Sequence, residues 1–325
     1  MNILTFRNLF FVFLYQPLTC LRMKAGLLIF LILLSFCFSC KNSSSRADEF
    51  VFPEADSIPE SEYEKLSPEA IADISRSISS PVEIANLLQM LEVPFSQNYL
   101  ASTIDANQQS TSYDKALKLG ILSADLGYLN MYEKTASSFD VLNSIRKLAD
   151  DLRVGQFINI ETIKRLSQNK SNLDSLLFIS IDSFTQIDEY LRENDRGQLS
   201  ALMIIGVWIE GQYLATQVVS KFPEPMLTDR IGEQKIVLND LIFLIMSYIN
   251  RDPEFINLYN NMKDIQTMYR DVNITYTLGD PISEEKNGAL VITQTESSVV
   301  EMSEEQLKDI IKITKDIRDN LISND

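Results

Sequence analysis

The stretch Leu199-Ser200-Ala201-Leu202-Met203-Ile204-Ile205-Gly206-Val207-Trp208-Ile209-Glu210-Gly211-Gln212-Tyr213-Leu214-Ala215-Thr216-Gln217-Val218-Val219 decides the fold. It is apolar nearly all round, with Trp208 on one side and Leu202, Met203, Gly206, Ile209 and Tyr213 on another. A helix without a polar face belongs at the centre of a bundle or in a membrane. Glu210, in its middle, disfavours a span, because a carboxylate among lipid tails is costly. The segment is therefore expected to be the central helix of a mainly α protein, in which a buried Glu210 needs a partner.

Outward from this helix, apolar residues recur at helical spacing near 112–134, 138–154, 160–168, 171–194, 198–221 and 228–250. Gly155 is the expected stop for the second of these. Ser67-Pro68-Glu69, Ser80-Pro81 and Asp252-Pro253-Glu254 place a capping side chain before proline, and open helices at about 68–78, 81–92 and 253–270. The connections are short, which predicts an antiparallel helical bundle or stacked helical hairpins. No fixed-length repeat is present.

The period changes after Asp271. Val272, Ile274, Tyr276 and Leu278 alternate with Asn273, Thr275 and Thr277, as in a half-buried strand, and Gly279-Asp280-Pro281 ends the run. A second run, Ala289 to Thr295, is expected to pair with it as a small β-hairpin. Ser303-Glu304-Glu305-Gln306 forms a capping box before a final amphipathic helix with the stripe Leu307, Ile310, Ile311, Thr314, Ile317 and Leu321. Residues 67–271 thus read as the helical domain, and 272–325 as a hairpin and helix packed on it.

The N-terminal sequence carries an address. Met23-Lys24 precedes the apolar run Ala25 to Phe38, then Ser39-Cys40 and a polar segment, which is the order of a secretory signal. The run is about 14 residues where a span needs about 20. With Cys37 and Phe38 as its less usual members, the box before Cys40 resembles the lipobox of bacterial lipoproteins, in its relaxed Bacteroidetes form. The resemblance implies lipidation at Cys40, removal of residues 1–39 and a true start at Met23. Residues 40–66, rich in Ser, acids and proline, are expected to be a flexible tether. Within it, Asp56-Ser57-Ile58 resembles the O-glycosylation site of exported Bacteroidetes proteins, with Ser57 as acceptor.

Composition removes several function classes. The chain has 29 Lys and Arg against 45 Asp and Glu; without residues 1–39, which hold Arg7, Arg22, Lys24 and no acid, 26 cations face 45 anions, a formal charge of −19. Such a surface repels nucleic acid. With no histidine, the chain lacks the Ser-His-Asp and Cys-His systems and the usual zinc ligand sets. No metal, phosphate-loop or dinucleotide motif is present, and no cofactor is expected. Of Cys20, Cys37 and Cys40, a chain beginning at Cys40 keeps one, so it holds no internal disulfide.

Two acids on apolar helices are the candidates for a site. Lys235 is the expected partner of Glu210: it lies on the stripe Ile231, Leu238, Ile242, Ile245 and Ile249, and the two residues sit about 12 positions either side of the turn Phe222-Pro223-Glu224-Pro225. They read either as a structural ion pair or as the base of a pocket. Asp125 interrupts an apolar run in which Gly120, Ala124 and Gly127 would admit another backbone. Tyr128 and Tyr132 follow it at helical spacing, and Tyr190 and Tyr213 come from other helices. Tyrosines around an acid line a small polar-ligand pocket or sit in the core with hydroxyls at its rim.

With Cys40, the acidic tether and the segment Gly206-Val207-Trp208-Ile209-Glu210-Gly211, the chain resembles the uncharacterised helical lipoproteins of Bacteroidetes. The resemblance implies a cell-envelope protein held to the membrane by lipid, preferentially on the periplasmic face of the outer membrane. Its expected role is non-enzymatic: a binding or scaffold protein for an envelope protein or small polar ligand. The alternative is a histidine-independent carboxylate hydrolase of glycan or peptidoglycan, which needs two acids flanking an open cleft.

Overall fold

A computed structural model describes residues 91–323 apart from 92, 102–103, 109–110, 167–172, 252, 280–281, 287–288 and 294–295. Cys40, Ser57, the tether and the expected helices at 68–78 and 81–92, but for Leu91, lie outside the described residues. The protein is mainly helical, with a small antiparallel β element before the last helix.

The helices are α1 (Ser112–Met131), α2 (Thr135–Asp151), α3 (Ile160–Leu166), α4 (Leu173–Glu193), α5 (Gly197–Lys221), α6 (Pro225–Met246), α7 (Glu254–Met268) and α8 (Glu304–Ile322). Their starts have local causes. The Thr111 hydroxyl accepts from the Asp114 N–H at 3.0 Å, and Asp114 itself meets the positive end of α1. Pro225 opens α6, where its missing N–H and fixed φ are compatible with a first turn. At α8 the capping box is complete: the Ser303 hydroxyl accepts from the Gln306 N–H, and Gln306 Oε1 accepts from the Ser303 N–H.

Three helices end by the same device, and none uses glycine. Glu133, Arg153 and Asp195 take φ of 54°, 59° and 55°, after α1, α2 and α4. In each case the following N–H returns to a carbonyl of the last turn: Lys134 to Leu129, Val154 to Ala149 and Arg196 to Leu191. This is the Schellman closure, with a non-glycine residue in the left-handed position. Gly155 is therefore not the stop of α2, as the sequence suggested. The chain has already turned at Arg153, and Gly155 opens a short 3-10 turn, Gly155–Phe157.

The apolar helix α5 takes the central place, packed against α1, α4, α6 and α8. It is long and apolar enough to span a membrane, but 89% of its apolar window is buried inside the protein. Two glycines allow α1 and α5 to cross closely. A Cβ at Gly206 would lie 2.1 Å from the Leu117 carbonyl oxygen, and one at Gly120 would lie 2.1 Å from that of Met203. Gly127, expected to join them, has nothing within 4 Å of such a Cβ. On the other side of α5, Trp208 Nε1 donates to Gln234 of α6 at 2.9 Å. Tyr269, fully buried, donates to the Ile231 carbonyl and accepts from Gln212.

The hairpin is built from other pairs than the sequence suggested. Strands β1 (Asn273–Leu278) and β4 (Glu296–Glu301) pair antiparallel, and so do β2 (Ile282–Lys286) and β3 (Ala289–Thr293). The run at 289 therefore meets 282–286, not 272–278. Lys286 opposes Ala289, and the sequence between the two is Asn-Gly, a dipeptide that favours a two-residue hairpin connection. The base of the β element rests on α6, where Val300 occupies the space that a Cβ at Gly232 would take.

Candidate functional site

Four buried side chains converge where α1, α5 and α8 meet. Asp125 comes from α1, Glu210 and Tyr213 from α5, and Arg318 from α8. Glu210 is 0% exposed, Asp125 1% and Arg318 3%. Arg318 grips Glu210 with both arms of its fork, Nη2 to Oε1 at 2.7 Å and Nε to Oε2 at 2.8 Å. Such bidentate, charge-assisted bonds are among the strongest side-chain contacts. The same Nη2 donates to the Tyr99 carbonyl at 3.2 Å, and Nη1 to Asp319 at 3.2 Å. The guanidinium lies 4.2 Å from the centre of the Tyr213 ring, a cation–π contact.

Asp125 is held differently. Its Oδ2 accepts from the Ala101 N–H at 2.9 Å, while Oδ1 has no hydrogen-bond partner among the described residues, and Glu210 is near enough to act on the titration of the group. Burial raises the pKa of both carboxyls. For Glu210 the hydrogen bonds and charge of Arg318 pull in the opposite direction; for Asp125 the neighbouring Glu210 adds to the rise. Burial and the neighbouring carboxyl thus act together on Asp125 and hold its pKa well above the ordinary carboxylate value. Burial would lower the pKa of Arg318, but its bonds to Glu210 outweigh that and raise it, so the cation is secure.

The tyrosines divide. Tyr213 belongs to the cluster. Tyr128 is one turn from Asp125, but its hydroxyl accepts from the Ser96 N–H at 3.0 Å, and burial pushes its pKa up to about 12. Tyr132 donates to the Val93 carbonyl at 2.6 Å, and Phe95 packs against both rings. These two rings fasten the segment 93–101 across α1. Tyr190 packs on Phe157 instead.

The expected pairing of Glu210 with Lys235 is not found. Lys235 Nζ donates to the Arg270 carbonyl at 2.9 Å and the Val272 carbonyl at 2.8 Å, at the junction of α7 and β1. The reason is geometric: Glu210 faces α1 and α8, whereas α6, which carries Lys235, contacts another side of α5, marked by Trp208 and Gln212. The residue that sequence reasoning missed is Arg318. It falls four positions after Thr314 and eight after Ile310, on the buried stripe of the last helix, and a cation at such a position calls for a buried acid.

Chemically, two buried carboxyls gathered at one arginine tie three helices together. Among the described residues no group of three or more His, Cys, Asp or Glu side chains is arranged to hold a metal ion. No protein-family model matches the chain, and neither does any curated protein or solved structure.

Proposed function

We propose that the chain is a lipid-anchored protein of the bacterial cell envelope, acting as a binding or scaffold protein without catalysis. The observation that carries this reading is the order of charged start, apolar run and Cys40 at residues 23–40, followed by an acidic, proline-containing tether. On this reading Cys40 bears the lipid, Ser57 is a candidate for O-glycosylation, and the helical body is presented on the periplasmic side of the outer membrane to an envelope protein or a small polar ligand. The acidic surface fits a partner other than nucleic acid.

The core supports the non-catalytic part. A histidine-free hydrolase needs two carboxyls flanking an open cleft. The buried carboxyl pair, Asp125 and Glu210, is at most 1% exposed, and Glu210 is engaged with Arg318. Its perturbed titration follows from burial in a structural ion pair, and such networks shift pKa values without performing chemistry.

The test is the intact mass and membrane partition of the native protein. A lipid-modified chain beginning at Cys40, and a Cys40→Ser form released from membranes, are the expected results. A chain that starts elsewhere, or a serine form that still fractionates with membranes, refutes the anchor. Turnover of peptidoglycan or glycan by the purified protein, lost on substitution of a surface acid, would refute the non-enzymatic role.

A further inference from the structure

The cluster of Asp125, Glu210 and Arg318 holds more acid than base. Two carboxyls, each at most 1% exposed, face one guanidinium. The donors of that guanidinium are directed at Glu210, the Tyr99 carbonyl and Asp319. For Asp125 the described residues supply a single donor, the Ala101 N–H to Oδ2. If Asp125 were ionised, Oδ1 would be a buried charge with no donor of its own, competing with a second carboxylate for the one guanidinium, an arrangement that two adjacent acids avoid by sharing a proton.

We infer that α8 is latched to the bundle by a proton held between Asp125 and Glu210, so that its attachment tightens as pH falls and loosens as pH rises. The proton lets Asp125 Oδ1 donate to Glu210, which keeps both Oε atoms available to Arg318. Loss of the proton sets two carboxylates against each other at the point where α8 is gripped.

The charged and titratable surroundings are few. From α5 come Glu210 and Tyr213, from α8 Arg318 with Asp319 and Lys315 further out, and from α1 itself Tyr128. The segment 93–101 adds the Ala101 N–H and, on Arg318, the Tyr99 carbonyl. No charged group of α2, which also packs on α1, figures among the interactions that set the Asp125 titration. Lys315 is engaged with Asp319, so the inner cluster depends on Arg318 for its positive charge.

The sign of the effect follows from linkage. Asp125 has a folded pKa raised above its unfolded value of about 3.9, so the folded state binds the extra proton between the two values. The contribution is complete below the unfolded pKa and is lost as pH rises through the folded one. Asparagine at position 125 reproduces the protonated acid: an oxygen for Ala101 and an N–H for Glu210, with nothing to titrate.

The test is urea unfolding of the full chain and of Asp125→Asn between about pH 5 and about pH 9, with amide hydrogen exchange of residues 304–322 at each pH. The wild-type folding constant should fall relative to that of the variant as pH rises, by up to about tenfold per pH unit between the unfolded and the folded pKa of Asp125. Protection of α8 should fall with it. Parallel pH curves for the two proteins overturn the proposal. Should Asp125→Asn fail to fold, the wild type alone decides: at neutral pH an infrared carbonyl band of a protonated carboxyl, shifted by 13C-aspartate labelling, is expected. Its absence overturns the proposal equally.

Discussion

Alanine at Gly206 should destabilise the protein, whereas alanine at Gly127, in the partner helix, should stabilise it. A Cβ at Gly206 would meet the Leu117 oxygen at 2.1 Å, about 0.9 Å inside the 3.0 Å that such atoms respect. The obstacle is backbone, so no rotamer relieves it. The helices α1 and α5 would have to part by about 1 Å along a crossing lined by Leu117, Ile121, Leu202 and Ile209, all nearly fully buried. Overpacking of this kind costs about 1–3 kcal/mol, occasionally more, and the rigid obstacle places Gly206→Ala at the upper end. The gain in helix propensity of about 1 kcal/mol offsets part of it, leaving a net loss of about 2 kcal/mol. Gly120→Ala should behave alike, because its Cβ would meet the Met203 oxygen at 2.1 Å. Once the helices have parted for one methyl, the second is partly accommodated, so the double variant should lose less than the sum. Gly127→Ala meets nothing and should gain about 0.5–1 kcal/mol from propensity. Urea midpoints at constant m-value measure all four proteins. A stabilising Gly206→Ala would refute the crossing, and with it the placement of α5.

Glu210→Gln and Arg318→Met should each cost about 3–5 kcal/mol by stranding a buried partner, and the double change should recover much of that loss in thermal melts. Lys235→Met should cost about 1–2 kcal/mol through the carbonyls of Arg270 and Val272, and should add to Glu210→Gln within about 0.5 kcal/mol; strong coupling between them would restore the Glu210–Lys235 pair. Glycine at Glu133, Arg153 or Asp195 should raise the melting temperature, since relief of a left-handed conformation worth about 1–2 kcal/mol exceeds the added freedom of the unfolded chain. A drop in melting temperature at all three would show that those side chains make contacts outweighing the strain.

Local signals in the sequence were reliable where one residue's chemistry sets one boundary. The capping box at Ser303 and Gln306 and the nearly all-apolar surface of Leu199 to Val219 are each realised, whereas Pro225, read as part of a turn, opens a helix. The strand pairing was not legible in this way: the alternation after Asp271 suggested a partner at 289, but that run meets 282–286. Helix ends at Arg153 and its two counterparts were not legible, because the closing backbone hydrogen bonds there hold exposed non-glycine residues at positive φ, and such residues carry no stop signal of their own. The site was half legible. Burial of Asp125 and Glu210 follows from their apolar neighbours, but a partner 108 positions away cannot be told from sequence distance, which favoured the adjacent helix. Only the mixed stripe of α8, with Arg318 among isoleucines, points to it.

The grip of Arg318 also sets an order of assembly during synthesis. Its contacts reach back 108 residues to Glu210 and 219 to Tyr99. A ribosome adding about 5–20 residues per second needs about 5–20 s to travel from Glu210 to Arg318, and the glutamate waits in water for that time while α1 and α5 are already available to collapse. The nascent bundle therefore cannot close its centre in dry form until α8 emerges. Closure becomes a late, long-range step, and a chain interrupted before residue 318 would behave as though its core had been mutated, however complete its other helices.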